Sequence, residues 1–107
     1  MRMMLTAQIP TEGGNAAIRN GSLQNVMKKF MDEFKPEAAF FTAHHGDRCA
    51  YFVFDLKDAS QIPHVAENFF LGLNAKVELR PCMNAQDLGA AGPHIEKWVK
   101  EYPKPIV

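Results

Sequence analysis

Two adjacent imidazoles, His44-His45, lie four residues before a thiol, Cys49, and a phenol, Tyr51. Together these side chains offer proton transfer, metal ligation or nucleophilic attack. Metal ligation is the weakest of the three. Adjacent strand residues point to opposite faces, so His44 and His45 of one strand cannot share an ion, and neither has a second ligand at helical spacing. No metal and no cofactor is therefore expected. Cys49 falls opposite His44 in the hairpin inferred below, which makes a thiol–imidazole pair one reading. A small apolar core residue is the other. Cys82 follows Pro81 with no base identified beside it, and the two cysteines lack C-x-x-C spacing. Gly13-Gly14 precedes a helix without the lysine and hydroxyl of a phosphate loop, so it reads as a flexible loop.

A wider polar set emerges when strands are drawn through the chain. Thr6, Gln8, Thr42, His44, Tyr51, Glu78 and Arg80 fall on one face of the expected sheet. Five of them are the candidates for contacting a ligand. Arg80 would orient a carboxylate, Tyr51 and His44 would move a proton, Gln8 would bond a carbonyl, and Thr42 would add a hydroxyl. The competing reading is that these groups hydrogen-bond one another and water across a subunit interface.

The elements that position these residues follow from periodicity. Met3, Leu5, Ala7 and Ile9 alternate with Met4, Thr6 and Gln8, which predicts a first strand ended by Pro10. Thr11-Glu12-Gly13-Gly14 is expected as a loop, and Asn15 as the cap of a helix reaching about Phe34. Its apolar stripe is Leu23, Val26, Met27, Phe30 and Phe34. Gly21 inside it marks a break or a close approach.

A hairpin follows over residues 38–54, with Gly46-Asp47 as its two-residue turn, because glycine suits the first position of a type II′ turn. That turn pairs His45 with Arg48, His44 with Cys49, Thr42 with Tyr51 and Phe40 with Val53. One face is then Ala39, Phe41, Ala43, Ala50, Phe52 and Phe54. The other is Phe40, Thr42, His44, Cys49, Tyr51 and Val53.

Ser60 is the expected cap of a second helix, with Pro63 in its first turn and a stripe of Ile62, Val65, Ala66, Phe69 and Leu73. A fourth strand spans residues 75–81. Asn84 and Asp87 suit a short capped turn, and a last helix covers about 93–101 with Ile95, Trp98, Val99 and Tyr102 on its apolar side. The order β-α-β-β-α-β plus a C-terminal helix predicts an α+β, ferredoxin-like domain with a four-stranded antiparallel sheet in the order 4-1-3-2. The chain supplies helices for one sheet face only. The second face, with Phe40, Tyr51 and Val53, then needs a cover, either another copy of the same sheet or the C-terminal helix.

Composition bounds the partners. The chain has 107 residues, one domain by length, and 47% of them are hydrophobic. Twelve basic residues balance twelve acidic ones, so no electrostatic footprint for nucleic acid or an anionic membrane is present. No run reaches the ~18 apolar residues of a spanning helix, and the short N-terminal apolar run does not read as a secretion signal. A cytoplasmic protein with reduced thiols is the expectation.

At the level of element order, residues 1–88 resemble the dimeric α+β barrel superfamily. Pro36-Glu37-Ala38-Ala39-Phe40-Phe41-Thr42, Asp58-Ala59-Ser60-Gln61-Ile62-Pro63 and Pro81-Cys82-Met83-Asn84 resemble a small bacterial group of that plan. The resemblance implies a homodimer with paired sheets. Members include cofactor-free monooxygenases, lactone isomerases, and haem-degrading and peroxidase enzymes, so it implies little about chemistry. The haem-degrading subgroup would lead one to expect a tryptophan and a histidine at the site, and the only tryptophan here is Trp98, in the last helix. Two functions stay open. One is a small-molecule binder or cofactor-independent oxygenase or isomerase acting on a small aromatic or carbonyl compound. The other is a non-catalytic homodimeric module.

Overall fold

The computed structural model describes residues 1–102 and Lys104. Strand β1 is Arg2–Ile9, followed by helices α1, Thr11–Asn20, and α2, Ser22–Phe34. The hairpin is β2, Ala38–His44, and β3, Asp47–Asp55. Helix α3, Ile62–Leu73, leads to β4, Lys76–Pro81. Helices α4, Ala85–Ala90, and α5, Gly92–Glu101, end the described chain. All strand pairs are antiparallel, and the sheet runs β2-β3-β1-β4, which from its other edge reads 4-1-3-2. This α+β arrangement is compatible with a ferredoxin-like fold.

The loop expected over Thr11–Gly14 is instead the first turn of α1, which starts directly after Pro10. The Gly14 N–H donates to the Pro10 carbonyl at 2.8 Å. A Cβ on Gly14 would lie 2.8 Å from Arg48 Nη1 and 3.2 Å from Ile9 Cγ2, so glycine serves close helix–strand approach rather than flexibility. Asn15 is no cap; its Oδ1 accepts from Arg48 Nη2 at 2.9 Å. Gly21, at φ +81°, breaks the long helix into α1 and α2. Before α3, a 3-10 turn spans Ala59–Gln61, and Asp58 rather than Ser60 supplies the capping oxygen, accepting from the Ser60 N–H. Asn84 and Asp87 form a reciprocal capping box at α4.

The hairpin turn differs by one position on each strand. His45 and Gly46 both have positive φ, 51° and 79°, the signature of a type I′ turn. His44 therefore pairs with Asp47, Thr42 with Cys49 and Phe40 with Tyr51. The physical reason is tertiary. Asp47 is held in the strand because its carboxylate accepts from Thr11 Oγ1 at 2.7 Å, Thr11 N at 3.1 Å and Gln8 Nε2 at 3.0 Å. The register slips by two, so every side chain keeps its face.

Helices α2 and α3 close one sheet face. Phe30 is the hub of an aromatic cluster, with ring centroids 4.7 Å from Phe52, 5.3 Å from Phe69 and 5.4 Å from Phe54. Met3, Leu5, Ala7, Ile9, Ala50 and Val65 complete the packing. Phe41 and Ala43 share this face but remain exposed toward the end of β2. Every residue of α5 is exposed. This helix continues outward from α4 through Ala91, whose N–H bonds the Asp87 and Leu88 carbonyls and whose carbonyl accepts from the His94 and Ile95 N–H groups. It does not fold back to cover the second sheet face. Among the described residues, no helix is long and apolar enough to cross a membrane.

Candidate functional site

On the uncovered face, three adjacent strands align side chains in rows. Val53, Met4 and Arg80 form one row, Tyr51, Thr6 and Glu78 the next, and Cys49, Gln8 and Lys76 the third. Antiparallel neighbours on one face lie about 4.5–5.5 Å apart, so these rows converge by construction. Thr6, Gln8, Tyr51, Lys76, Glu78 and Arg80 from these rows border a cleft of about 360 Å³, with His44 and His45 closing the end beside the turn.

Four of the five residues singled out in the sequence meet here: Gln8, His44, Tyr51 and Arg80. Thr42 does not. It shares the face, but Cys49 stands between it and Gln8 in the row. Its hydroxyl donates to the Ala43 carbonyl at 3.5 Å. Thr42 borders a separate apolar hollow of about 290 Å³, walled by Leu23, Met27 and Phe41.

The polar groups of the cleft differ in what they already bond. Gln8 spends its amide N–H on Asp47, which leaves its carbonyl oxygen for another donor. Thr6 Oγ1 is buried and, among the described residues, has no hydrogen-bond partner. Tyr51 and Glu78 flank it on either side. Arg80 forms no ion pair with a described carboxylate; its Nη2 sits 3.8 Å from Met4 Sδ. Lys76 also has no ion pair among the described residues. Burial pushes the Tyr51 phenol above its ordinary range, and the Cys49 thiol beside it adds to the shift. The phenol is thus protonated at neutral pH and available as a donor.

The two imidazoles sit differently from expectation. Because His45 leaves the strand at positive φ, its ring comes to 4.0 Å from that of His44, centroid to centroid, instead of pointing to the opposite face. Two histidines still make an incomplete metal set: among the described residues no group of three or more His, Cys, Asp or Glu side chains gathers. The thiol–imidazole pair is not formed in the register. Cys49 is buried opposite Thr42 and Gln8, whereas His44 faces Asp47. The small-core-residue reading of Cys49 holds. The His44 ring lies 6.4 Å from that of Tyr51, near enough for one small molecule or water to touch both.

Sequence reasoning passed over His45 and Lys76 as site residues. Lys76 carried a signal, its alternation with Glu78 and Arg80. His45 drew notice beside His44 but was expected on the opposite face, because its true orientation depends on the turn.

A larger hollow, about 800 Å³, lies elsewhere, between α2 and α3. Three of its polar groups, Glu33, His64 and Asn68, fasten the helices together, and Asp32 pairs with Lys28 of its own helix. His64 Nε2 and Glu33 Oε1 are 2.5 Å apart, and the Asn68 amide donates to the Val26 carbonyl at 3.2 Å. Size alone does not make it the better candidate, since a binding site needs unengaged polar groups that converge. Set against known proteins, the chain matches no family model, no curated protein and no solved structure.

Proposed function

We propose that the cleft on the open sheet face binds a small aromatic or carbonyl compound that carries a carboxylate or a similar anion. One observation carries the reading. Two cations, Lys76 and Arg80, that have no ion pair among the described residues outnumber the one carboxylate, Glu78, and with a protonated phenol, two imidazoles and an orphaned hydroxyl they border one hollow of about 360 Å³. That volume falls within the roughly 300–1,000 Å³ usual for small-molecule sites. Arg80 and Lys76 would take the anion. Thr6 Oγ1, Tyr51 and Gln8 would bond the carbonyl or ring substituents, and the Tyr51 ring would stack on an aromatic ligand. In an enzymatic form of this reading, His44 and Tyr51 transfer protons in a cofactor-independent isomerase or oxygenase. Cytoplasmic residence with free thiols accords with it.

Thermal shift and calorimetry with benzoate, phenylpyruvate and a neutral analogue, benzamide, test the proposal. Benzoate or phenylpyruvate should bind with Arg80-dependent affinity, and benzamide should bind more weakly. No binding at millimolar concentration, or equal affinity in Arg80→Ala, overturns it.

The second reading is a non-catalytic homodimer of the dimeric α+β barrel kind, in which two open faces pack on each other. Its support is Phe40, 68% exposed at the centre of β2 on that face. Such a ring costs stability in water and gains it on burial. In this reading the polar rows satisfy one another across the interface.

A further inference from the structure

The two edges of the sheet are built differently. Strand β4 carries Lys76, Glu78, Arg80 and Pro81, the charges and proline that keep an edge from pairing with another chain. Strand β2 reads Ala38-Ala39-Phe40-Phe41-Thr42-Ala43-His44, with no Asp, Glu, Lys, Arg or Pro. Its last five residues are exposed. Phe40 projects on the open face and Phe41 on the helix face, and Phe41 is 59% exposed.

The turn dictates which backbone groups of β2 are free. A two-residue type I′ turn makes His44–Asp47 the hydrogen-bonded closing pair. Hydrogen-bonded and non-bonded pairs then alternate, so His44, Thr42, Phe40 and Ala38 turn their N–H and C=O groups toward β3. Ala39, Phe41 and Ala43 turn theirs outward. Three donors and three acceptors line an edge without a guarding charge.

We propose that β2 pairs antiparallel with β2 of a second copy of this chain, joining two sheets into one of eight strands. The strand is its own complement. With the two-fold axis at Phe41, Phe41 faces its counterpart and Ala39 faces Ala43, which uses all six outward groups. Axes at Ala39 or Ala43 leave outward groups of β2 unpaired. On the helix face two Phe41 rings meet, flanked by alanines that leave them room. The apolar hollow walled by Leu23, Met27 and Phe41 opens beside them. On the other face Phe40 lies opposite Thr42, and no like charges are opposed. This contact differs from face-to-face packing, because it leaves both open faces on the same side of a continuous sheet. It does not depend on the ligand reading of the cleft.

The full chain is measured by sedimentation equilibrium from about 1 to 100 μM, with Ala43→Lys beside wild type. Wild type should reach the dimer mass. Ala43→Lys, which places a charge on the pairing edge, should raise the dissociation constant at least tenfold. Leu71→Lys, on the outer surface of α3, should leave it unchanged. In a second arm, Phe41→Cys in a Cys82→Ser background is oxidised. Facing residues of a bonded pair have Cα atoms about 5.5 Å apart, within disulfide range, so a covalent dimer should form. Thr42→Cys, which faces Phe40 of the copy rather than itself, should cross-link far less. A monomeric wild-type chain overturns the proposal, as does a dimer whose mass ignores Ala43→Lys or one that cross-links through Phe40→Cys instead. Should Ala43→Lys fail to fold, a Phe41→Cys chain that stays monomeric under oxidant overturns it alone.

Discussion

Phe52 and Tyr51 are neighbours on the same strand, yet they belong to two different economies of structure. Phe52 points into the helices, is fully buried, and touches Phe30 and Phe69. Tyr51 points to the open face, half-buried beside Thr6 and the cleft. Behind the first face, burial has taken almost every apolar group out of water, and no polar side chain is buried there. On the second, among the described residues, Arg80 and Lys76 have no ion pair and Thr6 Oγ1 has no partner. One face of a sheet is spent on stability while the other keeps unsatisfied chemistry. The alternation of a strand permits both within a single residue step.

The comparison breaks most visibly on Phe52→Ala. Removing a buried aromatic side chain leaves a cavity and should cost about 3–5 kcal/mol in urea unfolding. Tyr51→Phe on the same strand should change stability by less than about 1 kcal/mol. A similar cost for both would mean the open face is as structural as the closed one.

Ligand titrations sharpen the contrast. Arg80→Ala should weaken binding of benzoate by about 1.5–3 kcal/mol, the worth of a charge-assisted hydrogen bond, and alter the unfolding midpoint little. Tyr51→Phe should weaken the same complex by about 0.5–1.5 kcal/mol, a neutral bond's contribution. Calorimetry on both variants reads these values directly.

Thr6→Val is a subtler probe. It removes a hydroxyl that has no described partner while keeping the volume, so the ligand-free chain should be unchanged or up to about 1 kcal/mol more stable. If the hydroxyl serves a ligand, the same variant should bind benzoate or phenylpyruvate more weakly. A marked loss of stability in thermal unfolding would show instead that Thr6 is a structural group.

The smallest expected effect concerns acid. Hydrogen bonds from Thr11, then Gln8, hold the Asp47 carboxyl below its ordinary range. Asp55, beside the N-terminal ammonium, and Asp58, capping Ser60, are lowered as well. A carboxyl lowered in the folded chain contributes stability above the unfolded value, near pH 4. That contribution disappears as pH falls through the lowered folded value. Unfolding midpoints should therefore decline below about pH 4, and Asp47→Asn should make the decline shallower. An unchanged acid slope in Asp47→Asn would remove Asp47 from the account.

Local patterns carried much of this molecule. Alternation in β1 and β4 placed Gln8, Thr6, Glu78 and Arg80 on one face because side-chain direction repeats every two residues whatever the fold. The stripe from Leu23 to Phe34 and the Asn84–Asp87 box were equally local, since helix faces and caps depend on spacings of three and four. The hairpin's faces were legible even though its turn was misplaced, as a slip of two leaves them unchanged.

What only tertiary structure decided lies where distant residues compete for the same backbone. The turn moved to His45-Gly46 because Thr11 and Gln8, from elsewhere in the chain, bind the Asp47 carboxylate and keep that residue in the strand. That shift turned His45 onto His44 and took the thiol away from an imidazole. Gly13-Gly14 lies in a helix, and Gly14 there sits against Ile9 and Arg48, where a Cβ would force both side chains to shift. Thr42 had the right parity and still fell outside the cleft, since Cys49 stands between it and Gln8. Parity is a property of one strand, whereas a site is a property of the register among several, and register is settled by contacts made far apart in the chain.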